Sequence, residues 1–414
     1  MKASRLPAVS SPTSPKNSRT LLRNSHRELN LLAEYHPGPL TAIALSVRAG
    51  ARFDGAHPGL AHAAEHMLFQ GTKQLDQRSL TELAAQLGGQ HNAVTRHETI
   101  TLTFECFNQE VERALWLLAE QYYHTCVEDH RWKVERHVIM DEIRSYASDP
   151  VHTLHEAAFC QFVGGALAHP LTGTLTSVRK MRSTHLQTFI ERHFVHRATC
   201  LAVVGGVDPQ QVLQTAERIF TAPPRPPIKP PRITPGRTGV LHRRQSGTVG
   251  YVIFFLEAPP HPRDFLAAAV ALEVLGDAPD TRLFQEVRGR RGLGYAVDAS
   301  SFWGPDWAVF TVAASCHPSD VSRLRDTIEA VCEAAANDGF SADEFERARK
   351  KLHFGYALLQ DSLFDRAVSL AEDTLLGFPL PEEIEALTRD FTVDEIGAAW
   401  QRVWRGRKLV ALLS

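Results

Sequence analysis

Residues 221–239, TAPPRPPIKPPRITPGRTG, put seven prolines into nineteen positions near the middle of a 414-residue chain. Proline has no amide hydrogen and a fixed φ, so this stretch can form neither a helix interior nor a central strand. It predicts a stiff, extended linker. The chain must therefore be built from two pieces, residues 27–220 and 240–414, and each is long enough to bury its own core. A hydrophobic share of 43% against 22% charged residues excludes a disordered or collagen-like chain.

The two pieces look like copies of one another. In the first, SLTELAAQLGGQHNAVT reads as a helix, a Gly turn and a strand entry, followed by the alternating strand TITLTFE. In the second, TRLFQEVRGRRGLGYAV has the same layout and precedes WAVFTVAA. Each is followed by a helix (EVERALWLLAEQYY; SDVSRLRDTIEAVCEAA) and by a long helical region, about 128–163 and about 341–377. The opening strands are LTAIALSVRAG and TVGYVIFFLEA. The order strand–helix–helix–strand–helix–helix, met twice, predicts an α+β protein made of two duplicated α/β sandwich domains, each a sheet covered by helices.

Residues 1–26 carry Ser, Pro, Arg and Lys but no acidic residue before Glu28 and no apolar core segment, so they read as a disordered tail rather than a secretory signal. Forty-five basic against 47 acidic residues leave a formal net charge of −2, which gives no support for binding nucleic acid. No run of 18 apolar residues suggests a membrane span. Six scattered cysteines with no C-x-x-C pair fit reduced thiols. Together these predict a cytoplasmic protein, with the mitochondrial matrix as the lesser option.

The chemistry lies in GLAHAAEHMLFQGT, where His62, Glu65 and His66 interrupt an otherwise apolar helix. At 3.6 residues per turn, positions 62 and 66 lie about 40° apart and 65 about 60° from 62, so all three share one face. Burying two imidazoles and a carboxylate is costly unless they are paired or hold a metal. Two His at i, i+4 suit Zn²⁺, and the Glu can take a proton from a water on that metal. This is the H-x-x-E-H arrangement. A third ligand is needed. The helix DHRWKVERHVIMDEIRSYASDP, with apolar Trp132, Val134, Val138, Ile139, Ile143 and Tyr146, offers Glu135 and Glu142 about two turns apart on one face. One could bind metal while the other orients a ligand.

The residues quoted resemble the pitrilysin, insulin-degrading enzyme and mitochondrial processing peptidase family of zinc peptidases, over roughly 28–414. Seventy-five residues separate His66 from Glu142, close to the family's spacing, and VERHVIMDEIRSYASDP resembles its third-ligand helix. The resemblance implies one Zn²⁺ on His62, His66 and Glu142, Glu65 as general base and Glu135 as support. GGQHNAVTRHET resembles the family's edge strand, which implies that Asn92 and Ala93 hold the main chain of a peptide substrate by β-augmentation. HPLTGT (169–174) resembles a further segment. The second half has no histidine in DFLAAAVALEVLG, so it cannot repeat the metal site. Its Arg288 and Tyr295, seven apart around a Gly turn, match the family's pair that completes the site: the Tyr assists the tetrahedral intermediate and the Arg holds substrate.

In two-chain members the metal site and the Arg–Tyr pair come from different subunits. This chain keeps both sets, which favours a homodimer completed in trans. The alternative is the catalytic subunit of a heterodimeric processing peptidase that matures one peptide. A non-catalytic scaffold of the same fold is a further alternative, although such relatives have damaged zinc motifs. The expected function is a zinc endopeptidase acting on short or unfolded peptides in a chamber between the domains. Mn²⁺ or Co²⁺ could also serve such ligands. His57, His91 and His97 lie near enough in sequence to be weighed as additional ligands.

Overall fold

The computed structural model describes residues 20–244, 247–276 and 278–414. Apolar and β-branched runs form two sheets. The first contains β1 (Leu21–His26), β2 (Leu29–Tyr35), β3 (Leu40–Val47), β4 (Gln90–Thr95), β5 (Ile100–Phe107) and β6 (Thr199–Gly205), in the order β1-β2-β6-β3-β5-β4. The second contains β7 (Gly239–Arg243), β8 (Gly250–Ala258), β9 (Val297–Gly304), β10 (Trp307–Cys316) and β11 (Lys408–Leu413), in the order β7-β11-β8-β10-β9. Without β1 the two sheets have one topology. A parallel pair (β2–β6; β7–β11) is followed by antiparallel neighbours throughout. The expected duplication is present at the level of strand order.

The helices of the first half are α1 (Leu60–Met67), α2 (Gln77–Gln86), α3 (Val111–His124), α4 (Asp129–Ala147), α5 (Pro150–Val163), α6 (Leu175–Lys180), α7 (Ser183–His193) and α8 (Pro209–Ile219). Those of the second are α9 (Pro262–Leu275), the short α10 (Arg282–Phe284) with a wider helical turn following it, α11 (Val321–Asp338), α12 (Ala342–Asp361), α13 (Leu363–Leu376), α14 (Pro381–Arg389) and α15 (Val393–Arg405).

One expectation needs correction and two gain detail. The tail assigned to 1–26 ends earlier, because Leu21–His26 pairs antiparallel with β2. Arg27 and Glu28, both with positive φ (47° and 66°), make the two-residue turn whose twist suits a hairpin; residues 1–19 lie outside the described residues. Each long helical region is two helices. Pro150 starts α5 with Asp149 capping Val151 and His152, and Ser362 caps α13 through the amide of Asp365. The Pro-rich stretch is extended as expected, but it is a strap tied to both halves. Pro231 O accepts from Arg52 Nε at 2.8 Å, Arg237 N donates to Gln161 O at 2.7 Å, and Arg407 Nη2 donates to Gly236 O at 3.0 Å.

The halves also exchange a helix. α5, from the first half, lays Leu154, Ala158, Phe159 and Phe162 against Ile253, Phe255, Leu409 and Ala411 of the second sheet. α13, from the second half, lays Ala367, Leu370 and Ala371 against Ala42, Ala44, Ala202 and Val204 of the first. Each sheet thus has its own helices on one face and the other half's helix on the opposite face, so the chain does not divide cleanly at 221–239. Burying a Leu or Phe side chain contributes about 1.5–3 kcal/mol, and neither sheet could cover its second face alone. Two buried arginines reinforce the junction. Arg52 bonds Glu98 at 2.8 Å and Asp306 at 2.6 Å through two nitrogens, while Arg366 bonds Glu34 at 2.6 Å and Glu382 at 3.0 Å.

Candidate metal centre and active site

α1 starts at Gly59, a residue in the left-handed region (φ 85°) whose own side chain cannot cap the helix. Asp54 does so from outside the helix, accepting the amides of Gly59 at 2.5 Å and Ala61 at 2.7 Å. Gly59 is required by close approach, since a Cβ there would lie 2.5 Å from Thr172 O in HPLTGT, and one on Gly173 would lie 2.3 Å from Pro58 O. The 169–174 segment therefore braces the helix entry. Asp54 was not evident in the sequence, because nothing local marks an acid six residues upstream as a cap.

With both ends held, α1 buries Leu60, Ala61, Ala63, Ala64 and Met67 and turns His62, Glu65 and His66 to one face. α4 crosses it, anchored by Trp132, Ile139 and Met140; Val134 and Val138, expected on the apolar face, are instead exposed. Glu142 Oε2 lies 3.5 Å from His62 Nε2 and 3.6 Å from His66 Nε2. Those separations are long for a hydrogen bond, yet they suit ligands around one ion. Donors about 2.0–2.1 Å from a tetrahedral centre lie roughly 3.4 Å apart. The donor atoms of His62, His66 and Glu142 all fall within 4.8 Å, the one such three-ligand group among the described residues, and two imidazoles with a carboxylate match zinc.

Glu135 stands behind the cluster. Its Oε2 meets His66 Nδ1 at 3.0 Å, and its Oε1 accepts from Gln70 Nε2 at 2.8 Å. Gln70 follows His66 by four residues, a spacing that could have pointed to it. Glu65 accepts from the hydroxyl of Thr95, the last residue of β4. Burial and the charge of His66 push His62 down to about 4, leaving a neutral ring with a lone pair to give. At His66 burial acts downward, but the carboxylates of Glu135 and Glu142 outweigh it and raise the ring to about 9. A cation between the rings takes that proton's place, so metal affinity should fall with falling pH. Substituting Glu135→Gln should weaken zinc binding by about 10–100-fold, read by competition with a chromophoric chelator. An unchanged affinity would mean that Glu135 does not orient His66.

The other expected residues are placed as follows. Asn92 and Ala93 lie on β4, the outermost strand of the first sheet, but their backbone groups are engaged locally. Ala93 N donates to Asn92 Oδ1 at 2.9 Å, and Thr103 Oγ1 donates to Asn92 O at 3.3 Å. Arg288 lies over the ring of Tyr295 at 4.4 Å, and Tyr295 is 75% exposed. No hydrogen bond, ion pair or ring contact among the described residues joins this pair to the His62 cluster. His57 stacks on His185 at 4.2 Å, His91 bonds Gln121 at 2.8 Å, and His97 stacks on Phe159 at 4.5 Å. None of the three joins the metal group. The cysteines are free, and no helix among the described residues is long and apolar enough to cross a membrane.

Residues 30–173, which hold the whole cluster, match the family model for insulinase (peptidase family M16), and residues 180–352 match that for the peptidase M16 inactive domain. The chain belongs to peptidase family M16. It is of the two-domain short type, and its histidine-free α9 falls within the stretch matching the inactive domain. The M16 chain is 28% identical over 349 residues to an uncharacterized zinc protease of Mycobacterium leprae, covering 81% of this chain and 78% of that protein. It is 24% identical over 382 residues to an uncharacterized zinc protease of Rickettsia bellii, covering 90% and 92%. Its fold superposes on a protease from Helicobacter pylori with a TM-score of 0.89 at 17% identity, covering 96% of this chain and 99% of that one. The peptidase M16 inactive domain from Pseudomonas fluorescens gives 0.87 at 18%, covering 95% and 98%.

Proposed function

We propose that this M16 chain is a zinc-dependent endopeptidase hydrolysing short or unfolded peptides. The observation that carries the reading is the convergence of two imidazole Nε2 atoms on one oxygen of Glu142, with the half-buried Glu65 on the same helix face. A zinc ion held by His62, His66 and Glu142 would supply a Lewis acid that polarises the scissile carbonyl and acidifies a water. Glu65 takes the water's proton and passes it to the leaving amine. Glu135 fixes His66 so that Nε2 faces the cluster. An extended peptide adds to the free edge of β4 at Asn92 and Ala93, displacing the bond from Ala93 N to Asn92 Oδ1. Arg288 and Tyr295, exposed and without a contact to their own cluster among the described residues, complete the site of a second copy in a homodimer.

The deciding test is cleavage of a mixture of unstructured peptides by this chain alone, read by mass spectrometry with and without a chelator. Chelator-sensitive cutting supports a self-sufficient metallopeptidase. A zinc-loaded but inactive protein would point to the heterodimeric alternative, and a protein that takes up no zinc would overturn the reading.

The pH profile gives a second check. Burial raises the Glu65 carboxyl above its ordinary 4.5, and the Thr95 hydroxyl opposes that rise. A base must be ionised, so activity is lost as pH falls through this raised value. Removing the hydroxyl that opposes the rise, in Thr95→Ala, should therefore move the acid limb of kcat/KM upward. A limb that does not move would deny Thr95 this influence.

A further inference from the structure

Between the halves lies a cavity of about 430 Å³ that the proposed chemistry does not use. It is bounded by the outermost strands of the two sheets, through Thr95 at the end of β4 and Ser301, Phe302 and Trp303 of β9. Thr95 belongs to two places, because its hydroxyl also binds Glu65. Ser301 and Arg96, both exposed, mark the mouth, so a peptide running off the free edge of β4 can set one side chain inside. One wall is aromatic. The ring centroids of Trp303 and Phe378 lie 4.7 Å apart and those of Phe265 and Phe378 5.7 Å, and Phe302 and Trp307 complete it.

The charges on the lining do not balance. Six titratable side chains line the space, and two of them are neutral: burial holds His97 down to about 4 and pushes the Tyr356 hydroxyl up. Glu98 is taken from behind by Arg52 and by the Trp307 indole, each at 2.8 Å. Glu372 is taken by Arg96 at 3.2 Å and by the Thr101 hydroxyl at 2.6 Å. Asp373 remains, half-buried on the cavity wall. The Ser369 hydroxyl donates to its Oδ2, and no ion pair reaches it among the described residues. Arg366, on the same helix, is committed to Glu34 and Glu382. Burial, with the charge of Glu372 beside it, lifts the Asp373 carboxyl to about 7. A cation delivered into the cavity takes the place of that proton. The rings favour the same visitor through their faces, and a guanidinium, planar and weakly hydrated, sheds its water more readily than an ammonium.

We propose that this cavity is a substrate subsite for a basic side chain, arginine ahead of lysine, whose stem and guanidinium pack on the aromatic wall while an N–H donates to the Asp373 carboxylate. The proposal rests on the endopeptidase reading, and its test separates the two.

Matched peptides carrying Arg, Lys, Phe or citrulline, the uncharged isostere of arginine, at successive positions are compared by kcat/KM. Their affinities are measured in parallel by fluorescence-polarisation competition on zinc-loaded and metal-free protein. At one position Arg should exceed citrulline by about tenfold or more in both measurements, as expected of a charge-assisted hydrogen bond formed away from water. Asp373→Asn should bring the Arg/citrulline ratio toward one. If that variant does not fold, Ser301→Lys, which sets a cation at the exposed mouth, should lower the same ratio. A ratio near one at every position, or an Arg preference that neither variant reduces, overturns the subsite and leaves the peptidase intact. Arg-selective binding without chelator-sensitive cleavage keeps the subsite and overturns the peptidase.

Discussion

Glu65→Gln leaves zinc bound and removes cleavage. Glu65 is not among the three donors, so the amide should not disturb the ligand cluster, and metal content measured by atomic emission should stay at one per chain. What the amide cannot do is accept a proton, and a positioned general base contributes about 10²–10⁴ in rate. Cleavage should fall by at least that factor, with KM little changed because Glu65 holds no part of the peptide's main chain. Activity within threefold of the unaltered protein would sink the assignment of Glu65 as base. Loss of zinc together with activity would instead make Glu65 a ligand or a determinant of the helix.

Arg366→Ala should be the most damaging single change away from the site. Arg366 lies on α13 of the second half and is almost fully buried, as is its partner Glu34 on β2 of the first. Removing the guanidinium leaves Glu34 in the interior without its counter-charge, a loss of about 3–5 kcal/mol. Urea denaturation should show that shift in the first transition. Replacing both partners with apolar residues, Glu34→Leu with Arg366→Met, should recover most of it, because the penalty comes from the orphaned charge rather than from the loss of attraction. A drop below about 1 kcal/mol for Arg366→Ala would mean that Glu34 finds water or another donor, and that the apolar contacts of α13 alone hold the exchanged helix.

The site was legible where its residues are close in sequence. His62, Glu65 and His66 are fixed relative to one another by a single helical turn, and no tertiary information is needed to see that they share a face. Glu135 and Glu142 could be seen to share a face of their own helix, but which of them meets the imidazoles was implied only by family resemblance. The structure brings Glu142 to both Nε2 atoms and sets Glu135 against Nδ1 of His66. Asp54, Thr95 and Gln70 were missed for different reasons. Asp54 caps a helix it does not belong to, and Thr95 reaches Glu65 across thirty residues. Gln70 was overlooked despite its helical spacing from His66. The apolar pattern of α4 misled at Val134 and Val138, because an apolar residue on a helix promises burial only if some element arrives to cover it.

By itself the sequence determined the local geometry and the repeat: the ligand face of α1, the extended proline stretch, and two copies of one strand–helix order. These follow from interactions within a turn or a strand, whose periods are properties of the backbone. Only the tertiary structure decided that α5 and α13 trade places and that Glu142 rather than Glu135 faces the two rings. An apolar stripe or a carboxylate specifies what kind of partner it needs, not which one. That choice falls to packing between segments up to 332 residues apart, as between Glu34 and Arg366.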